Sequence, residues 1–184
     1  MNTIKNILLA LLGGLIFLGA MLVGTQANAQ GAYIPSQFEG LSVYFPKYTK
    51  HYQASTAFDN QKNGSEGGSR GFLATYSTKR THYTYGKMQN SYGSFSHYFL
   101  FGKTLKTFKT SQLSLHVGVA DGYEASYADK GVAEVFNKYL PKVMVKNKMM
   151  PMVAIVYKKK LYKGVGVQFN ISPVFVNTGI YVQL

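Results

Sequence analysis

The chain has 184 residues, with 20 Lys and Arg against 7 Asp and Glu, a formal net charge of +13, 46% hydrophobic and 15% aromatic content. That apolar content excludes a wholly disordered chain, and the length suits one ordinary domain rather than two. There is no cysteine, which excludes disulfide scaffolds, Cys-ligated zinc, haem thioether attachment and thiol catalysis together.

The first 29 residues read as a cleaved secretory signal. Lys5 gives a short positive start, Ile7 to Val23 is apolar but broken by Gly13, Gly14 and Gly19, and Ala27-Asn28-Ala29 precedes Gln30. This order predicts cleavage after Ala29. A retained anchor is the alternative, because about 17 apolar residues lies near the lower limit for a spanning helix. The remaining domain, residues 30–184, is then expected to work outside the cytoplasm.

That domain reads as strands, with only a weak helical period over Val132 to Leu140. Period-two alternation predicts eight strands, at about 49–58, 71–78, 81–89, 94–103, 112–121, 149–157, 164–171 and 177–183. Leu113, Leu115, Val117 and Val119 form one apolar row, opposed by Gln112, Ser114, His116 and Gly118. Val165, Val167, Phe169 and Ile171 form another, opposed by Gly164, Gly166, Gln168 and Asn170. A soluble sheet face usually carries Lys and Glu, whereas these opposing rows are small or hydrogen-bonding. All seven acids fall outside the predicted strands, Asp121 at a strand end. An eight-stranded antiparallel outer-membrane β-barrel is the architecture this predicts, apolar rows toward lipid and backbone groups satisfied by closure. A soluble periplasmic barrel is the alternative.

Connection lengths fit the same topology. With a periplasmic N-terminus, 59–70, 90–93, 122–148 and 172–176 face outward and include the longest ones, as outer-membrane barrels prefer. Lys79-Arg80, 104–111 and the lysine-rich 158–163 are the expected inner turns. Tyr83, Tyr85, Tyr92, Tyr98 and Tyr157 lie near strand ends, where aromatic girdles sit.

Chemistry-bearing residues are sparse. His51, His82, His97 and His116 show no helical metal-ligand spacing, so no metal or other cofactor is expected, and no glycine-rich loop leads into a helix. Lys138, Lys142, Lys146 and Lys148 form a basic run. For an exported barrel its anionic partner is a phosphate-bearing lipid head group rather than nucleic acid, or else the run is a solvated loop. Gln89-Asn90-Ser91-Tyr92-Gly93 reads as a tight turn, in which Ser91 becomes a nucleophile only if a histidine reaches it.

Six features in order give a family resemblance over about 44–184. Tyr44-Phe45-Pro46 precedes His51, Asn90-Ser91 forms a turn, and Gly102 follows Ser91 by eleven positions. Met150-Pro151-Met152 begins a strand, Ile171-Ser172-Pro173 precedes the last one, and Gly179 to Leu184 alternates to the end. In these features the chain resembles the lipid A palmitoyltransferase family of eight-stranded outer-membrane barrels.

The resemblance implies transfer of a palmitoyl chain from a phospholipid to lipid A (lipopolysaccharide) by a monomeric barrel. His51, Asn90 and Ser91 take the catalytic positions, with activation of the accepting hydroxyl and an acyl intermediate both open. Pro46, Pro151 and Pro173 correspond to prolines that weaken strand pairing and admit lipid sideways. Gly102 corresponds to the floor of the acyl pocket, lined here by Met150, Met152, Ala154 and Val156. The chain departs from the pattern in several places. Asn90 stands where the family has aspartate, no arginine lies in 122–148, tryptophan is missing, and the chain ends in Leu184. A barrel without enzymatic activity that binds lipid or modifies the cell surface is the second reading.

Overall fold

The computed structural model describes residues 37–51, 70–90, 94–124, 130–173 and 175–184. The predicted signal peptide, residues 1–29, lies outside them. Eight strands run β1 Gly40–His51, β2 Gly71–Ser77, β3 Thr81–Gln89, β4 Phe95–Thr107, β5 Ser111–Ala120, β6 Met150–Tyr162, β7 Val165–Ile171 and β8 Phe175–Gln183. Each pairs antiparallel with the next, and β8 pairs with β1, so the sheet closes into a barrel. Among the described residues, helices α1 Lys130–Tyr139 and α2 Lys142–Lys146 lie between β5 and β6.

Alternation along the strands sorts the side chains. Ser42, Leu73, Thr75, Thr84, Met88, Tyr98, His116, Val156, Gln168, Asn170, Asn177 and Tyr181 are buried. Leu41, Phe45, Phe72, Tyr76, Tyr83, Tyr85, Phe99, Phe101, Ile155, Phe169, Ile171 and Ile180 are exposed on the outside of the wall. The apolar row is therefore the outer surface, and the interior is filled mostly by hydroxyl, amide and imidazole groups.

The two ends differ. Short connections at 78–80, 108–110 and 163–164 define a turn end. Lys163 and Gly164 both have positive φ there, at 31° and 83°, the backbone that two-residue hairpins between twisted strands require. The other end carries the connections spanning 52–70, 90–94, 121–149 and 172–174. Gln37 donates from Nε2 to the Lys109 carbonyl at the opposite wall, and Phe38, 1% exposed, plugs the turn end.

Three boundaries differ from the sequence reading. β1 spans Gly40–His51 and so begins well before the expected start at about 49, because Ser42 and Tyr44 face inward while Leu41 and Phe45 face outward. The rest of the expected strand, 52–58, lies outside the described residues. Pro46 does not precede the strand. It sits within it, beside a register shift between Pro46 and Tyr48 that absorbs the missing N–H. β4 continues to Thr107 and β6 to Tyr162, so Lys158, Lys159 and Lys160 belong to a strand rather than to a turn.

Candidate functional site

The interior is layered from the turn end to the loop end. Near the turn end, His82 bonds Ser77 Oγ through Nδ1 and Thr104 Oγ1 through Nε2, each at 2.9 Å. Its ring stacks on His116 with centroids 5.2 Å apart, and His116 Nε2 meets Ser114 Oγ at 3.0 Å. Lys158 Nζ donates to Ser42 Oγ at 2.9 Å, with its ammonium 5.3 Å from the centre of the Tyr181 ring. Higher up, Gln168 Nε2 donates to Asn170 Oδ1, Asn170 Nδ2 to Asn177 Oδ1, and Asn177 Nδ2 to Thr49 Oγ1. Tyr44 OH also donates to Asn177 Oδ1. This ladder of amides crosses β7, β8 and β1 inside the barrel.

Above the polar layer is a cavity of about 40 Å³, on the order of three water volumes. Leu73, Met88, Tyr98, Leu100, Met152 and Val156 form its apolar walls, while Lys158, Gln168 and Asn170 reach it from below. Val153 also lines it, although by register its row is the outer one. The cavity thus reaches the wall at β6.

The wall is incomplete at that place. The β6–β7 ladder begins at Ile155↔Ile171, so Met150–Ala154 have no partner strand on the β7 side. Ser172 instead folds the chain toward β8, exchanging bonds with Phe175 through both its hydroxyl and its backbone. Pro173 follows and has no N–H with which to extend the ladder. A second gap lies between β1 and β2, whose ladder stops at Tyr44↔Leu73. Phe45 and Pro46 on one side, and Phe72 and Gly71 on the other, are adjacent to it without pairing to each other. Pro46, Pro151 and Pro173 therefore flank the two gaps, at the loop end of the barrel.

The remaining sequence-predicted residues fall in different settings. Gly102 is buried between His82 and His116 in the strand register. A Cβ there would stand 2.7 Å from His116 Nε2, so the imidazole already occupies the space above it. His51 is the last residue of β1, in register with Phe175; its side chain lies outside the described atoms. Ser91 lies outside the described residues.

Asn90 is buried and serves as a clamp. Its Nδ2 donates to Ser96 Oγ and to the Gly122 carbonyl, both at 2.8 Å, and its Oδ1 accepts from the Ser94 N–H at 3.2 Å. The turn between β3 and β4 is thereby tied to the exit of β5. A carboxylate cannot donate either bond and would set an anionic oxygen against the Gly122 carbonyl. Asn90→Asp is expected to cost about 2–3 kcal/mol, read as a lower midpoint in urea titration of the detergent-solubilised barrel.

A histidine–carboxylate pair also emerges that the sequence did not signal. His97 Nδ1 lies 3.0 Å from Asp121 Oδ2, and the His97 N–H donates to Asp121 Oδ1 at 2.7 Å. The Asp121 N–H returns a bond to the His97 carbonyl at 3.0 Å. His97 faces outward with its ring parallel to Tyr85, centroids 6.4 Å apart. The pair closes the loop end of the β4–β5 ladder. Among the described residues, no group of three or more His, Asp or Glu side chains could hold a metal ion.

No protein-family model and no curated protein matches the chain.

Proposed function

We propose that this chain is an outer-membrane barrel that takes lipid through its wall and transfers an acyl chain from phospholipid to lipid A. One observation carries the reading. The gap between β6 and β7 opens onto an internal cavity with apolar walls, so a hydrocarbon chain lying alongside the barrel has a lateral path inside. A soluble barrel gains nothing from a breach beside an apolar cavity. The exposed aromatic and aliphatic residues around the wall are also costly in water and favourable against hydrocarbon.

In this reading the donor ester stays at the loop end while its chain occupies the cavity. The ester C–O bond of the phospholipid breaks, the acyl carbon bonds to a lipid A hydroxyl oxygen, and the hydroxyl proton passes to the departing lysophospholipid oxygen. His51 and Ser91 carry that proton traffic, with activation of the acceptor and an acyl-Ser91 intermediate both consistent with the residues present. Asn90 holds the turn in which Ser91 resides. The small cavity grows by movement of Met88 and Met152, whose unbranched side chains repack at low cost.

The test is direct. Purified barrel is incubated with phospholipid carrying a labelled palmitoyl group and with lipid A, and acylated lipid A is resolved by thin-layer chromatography. Ser91→Ala is expected to lower the rate by about 100-fold or more, while retaining the heat-modifiable gel migration of a folded barrel. Transfer untouched by this change rejects the reading.

A lipid-binding barrel without catalysis is the second reading, and Asn90 favours it. Its amide is spent on Ser96 and Gly122, and it supplies no negative charge to orient a histidine. No transfer, with labelled phospholipid retained by the barrel, is its expected outcome in the same experiment.

A further inference from the structure

We infer that the polar floor of the cavity, built around Lys158, holds the carboxylate of a long-chain fatty acid whose tail runs up between Leu73, Met88, Tyr98 and Met152. The inference starts from an uncompensated cation. Lys158 is 4% exposed, and its ammonium has three hydrogens but a single acceptor among the described residues, Ser42 Oγ at 2.9 Å. No Asp or Glu among the described residues pairs with it or lines the cavity. The Tyr181 ring offers its face to the ammonium, which is a weaker partner than an anion.

One further buried group points the same way: Tyr181 OH has no hydrogen-bond partner among the described residues. Gln168 Oε1, in register with Lys158 across the β6–β7 ladder, is also unpartnered, but as an acceptor it answers to a donor such as the ammonium and not to an anion. Buried charges and polar groups are ordinarily paired, and among the described residues this floor lacks the partner its charge requires. Its charge calls for an anion. Tyr181 OH can donate a second bond to a carboxylate oxygen, and the remaining ammonium hydrogens can donate two more.

The space above selects the rest of the ligand. Lys158 reaches the cavity from below, and the walls above it are apolar. A small hydrophilic anion would leave those walls facing water, whereas a fatty acid satisfies floor and walls at once. Lys158 and Met152 are six residues apart on β6, about 20 Å along the strand. The open space of about 40 Å³ between them takes the first part of such a chain, and the rest enters as side chains move aside. Met88 and Met152 supply the adaptable volume. The orientation is opposite to that of a donor acyl chain, whose ester remains at the loop end. The site therefore needs neither Ser91 nor His51, but its tail takes the cavity that the transfer reading gives to the donor chain, so the two occupants exclude each other.

The test uses the protein extracted from membranes in a non-ionic detergent and titrated with palmitate, hexadecanol and acetate, with binding read by retention of radiolabelled ligand. Palmitate is expected to bind at least tenfold more tightly than hexadecanol, with acetate unable to displace it at equal concentration. Lys158→Met should cut palmitate binding at least tenfold, to the level of hexadecanol, leaving hexadecanol binding unchanged. Lys158→Arg should retain the preference for palmitate. Equal binding of palmitate and hexadecanol by the unaltered protein overturns the inference, whether or not the methionine variant folds. Displacement by equimolar acetate, or no binding at all, overturns it as well. Ser91→Ala should bind palmitate like the unaltered protein, so loss of transfer and loss of this site are separately visible.

Discussion

Gly118→Ala is expected to remove much of the barrel's stability, so that samples lose the folded gel band at a lower temperature than the unaltered protein. Gly118 sits in β5 between Leu100 of β4 and Met152 of β6. A Cβ added there would stand 2.0 Å from the Phe99 carbonyl oxygen and 2.8 Å from the Leu100 Cα. Both are backbone atoms, so no side-chain rotation relieves the overlap. Either the β4–β5 ladder breaks or the wall shifts, and overpacking of this kind costs about 3 kcal/mol or more. That is a large part of the 5–15 kcal/mol that typically holds a domain folded. Gly102→Ala makes a contrast, since the nearest atoms to its Cβ belong to the His116 ring and not to backbone. The ring can yield by leaving Ser114 and the His82 stack, so the expected loss is smaller, about 1–3 kcal/mol. A barrel that folds normally with alanine at 118 would show that the interior is less tightly closed than the ladder implies.

Much of this architecture was legible in the sequence, because a closed antiparallel wall imposes one rule everywhere. The alternation of Leu113, Leu115, Val117 and Val119 with Gln112, Ser114, His116 and Gly118 states which side of β5 is which. The register agrees by pairing Leu113, Leu115 and Val117 with Tyr157, Ile155 and Val153 of the outer row, although Leu115 is itself buried. What alternation cannot convey is where partners stop pairing. The alternation placed the first strand at about 49, after Pro46, whereas a register shift lets β1 pass through Pro46 to pair with β8. Lys158 to Lys160 looked like a turn because lysine usually seeks water. In a narrow barrel an inward lysine can be housed by hydroxyls and rings, and Lys158 meets Ser42 across 116 positions of sequence. The role of Asn90 was hidden for the same reason. Its turn was readable, but Gly122, which accepts from it, comes 32 residues later. The gaps in the wall are likewise properties of strand lengths, since β7 ends at Ile171 while β6 begins at Met150.

That mismatch supports the second large effect. If the proposed transfer is right, joining β6 to the end of β7 with a disulfide, through Ala154→Cys and Ser172→Cys, is expected to lower acyl transfer at least tenfold, with full recovery on reduction. These are the next register positions beyond Ile155↔Ile171, and the chain has no native cysteine to compete. The crosslink would close the side of the cavity lined by Met152, Val153 and Ala154 without adding bulk above the polar floor. A disulfide needs Cα atoms within about 7 Å, so its yield, read by mass spectrometry, also measures how far the gap stands open. The control is Tyr157→Cys with Phe169→Cys, a pair facing outward within the existing ladder, where a crosslink should leave transfer unchanged. If the Ala154–Ser172 bridge forms completely and transfer continues undiminished, lipid does not pass between β6 and β7. The β1–β2 gap beside Pro46 would then be the remaining lateral route, although no residue of β1 lines the cavity. Transfer through that side would require Leu73 and Thr75, the β2 residues that do line it, to form the threshold, which moves the search for the reacting ester toward the seam where β1 ends at His51.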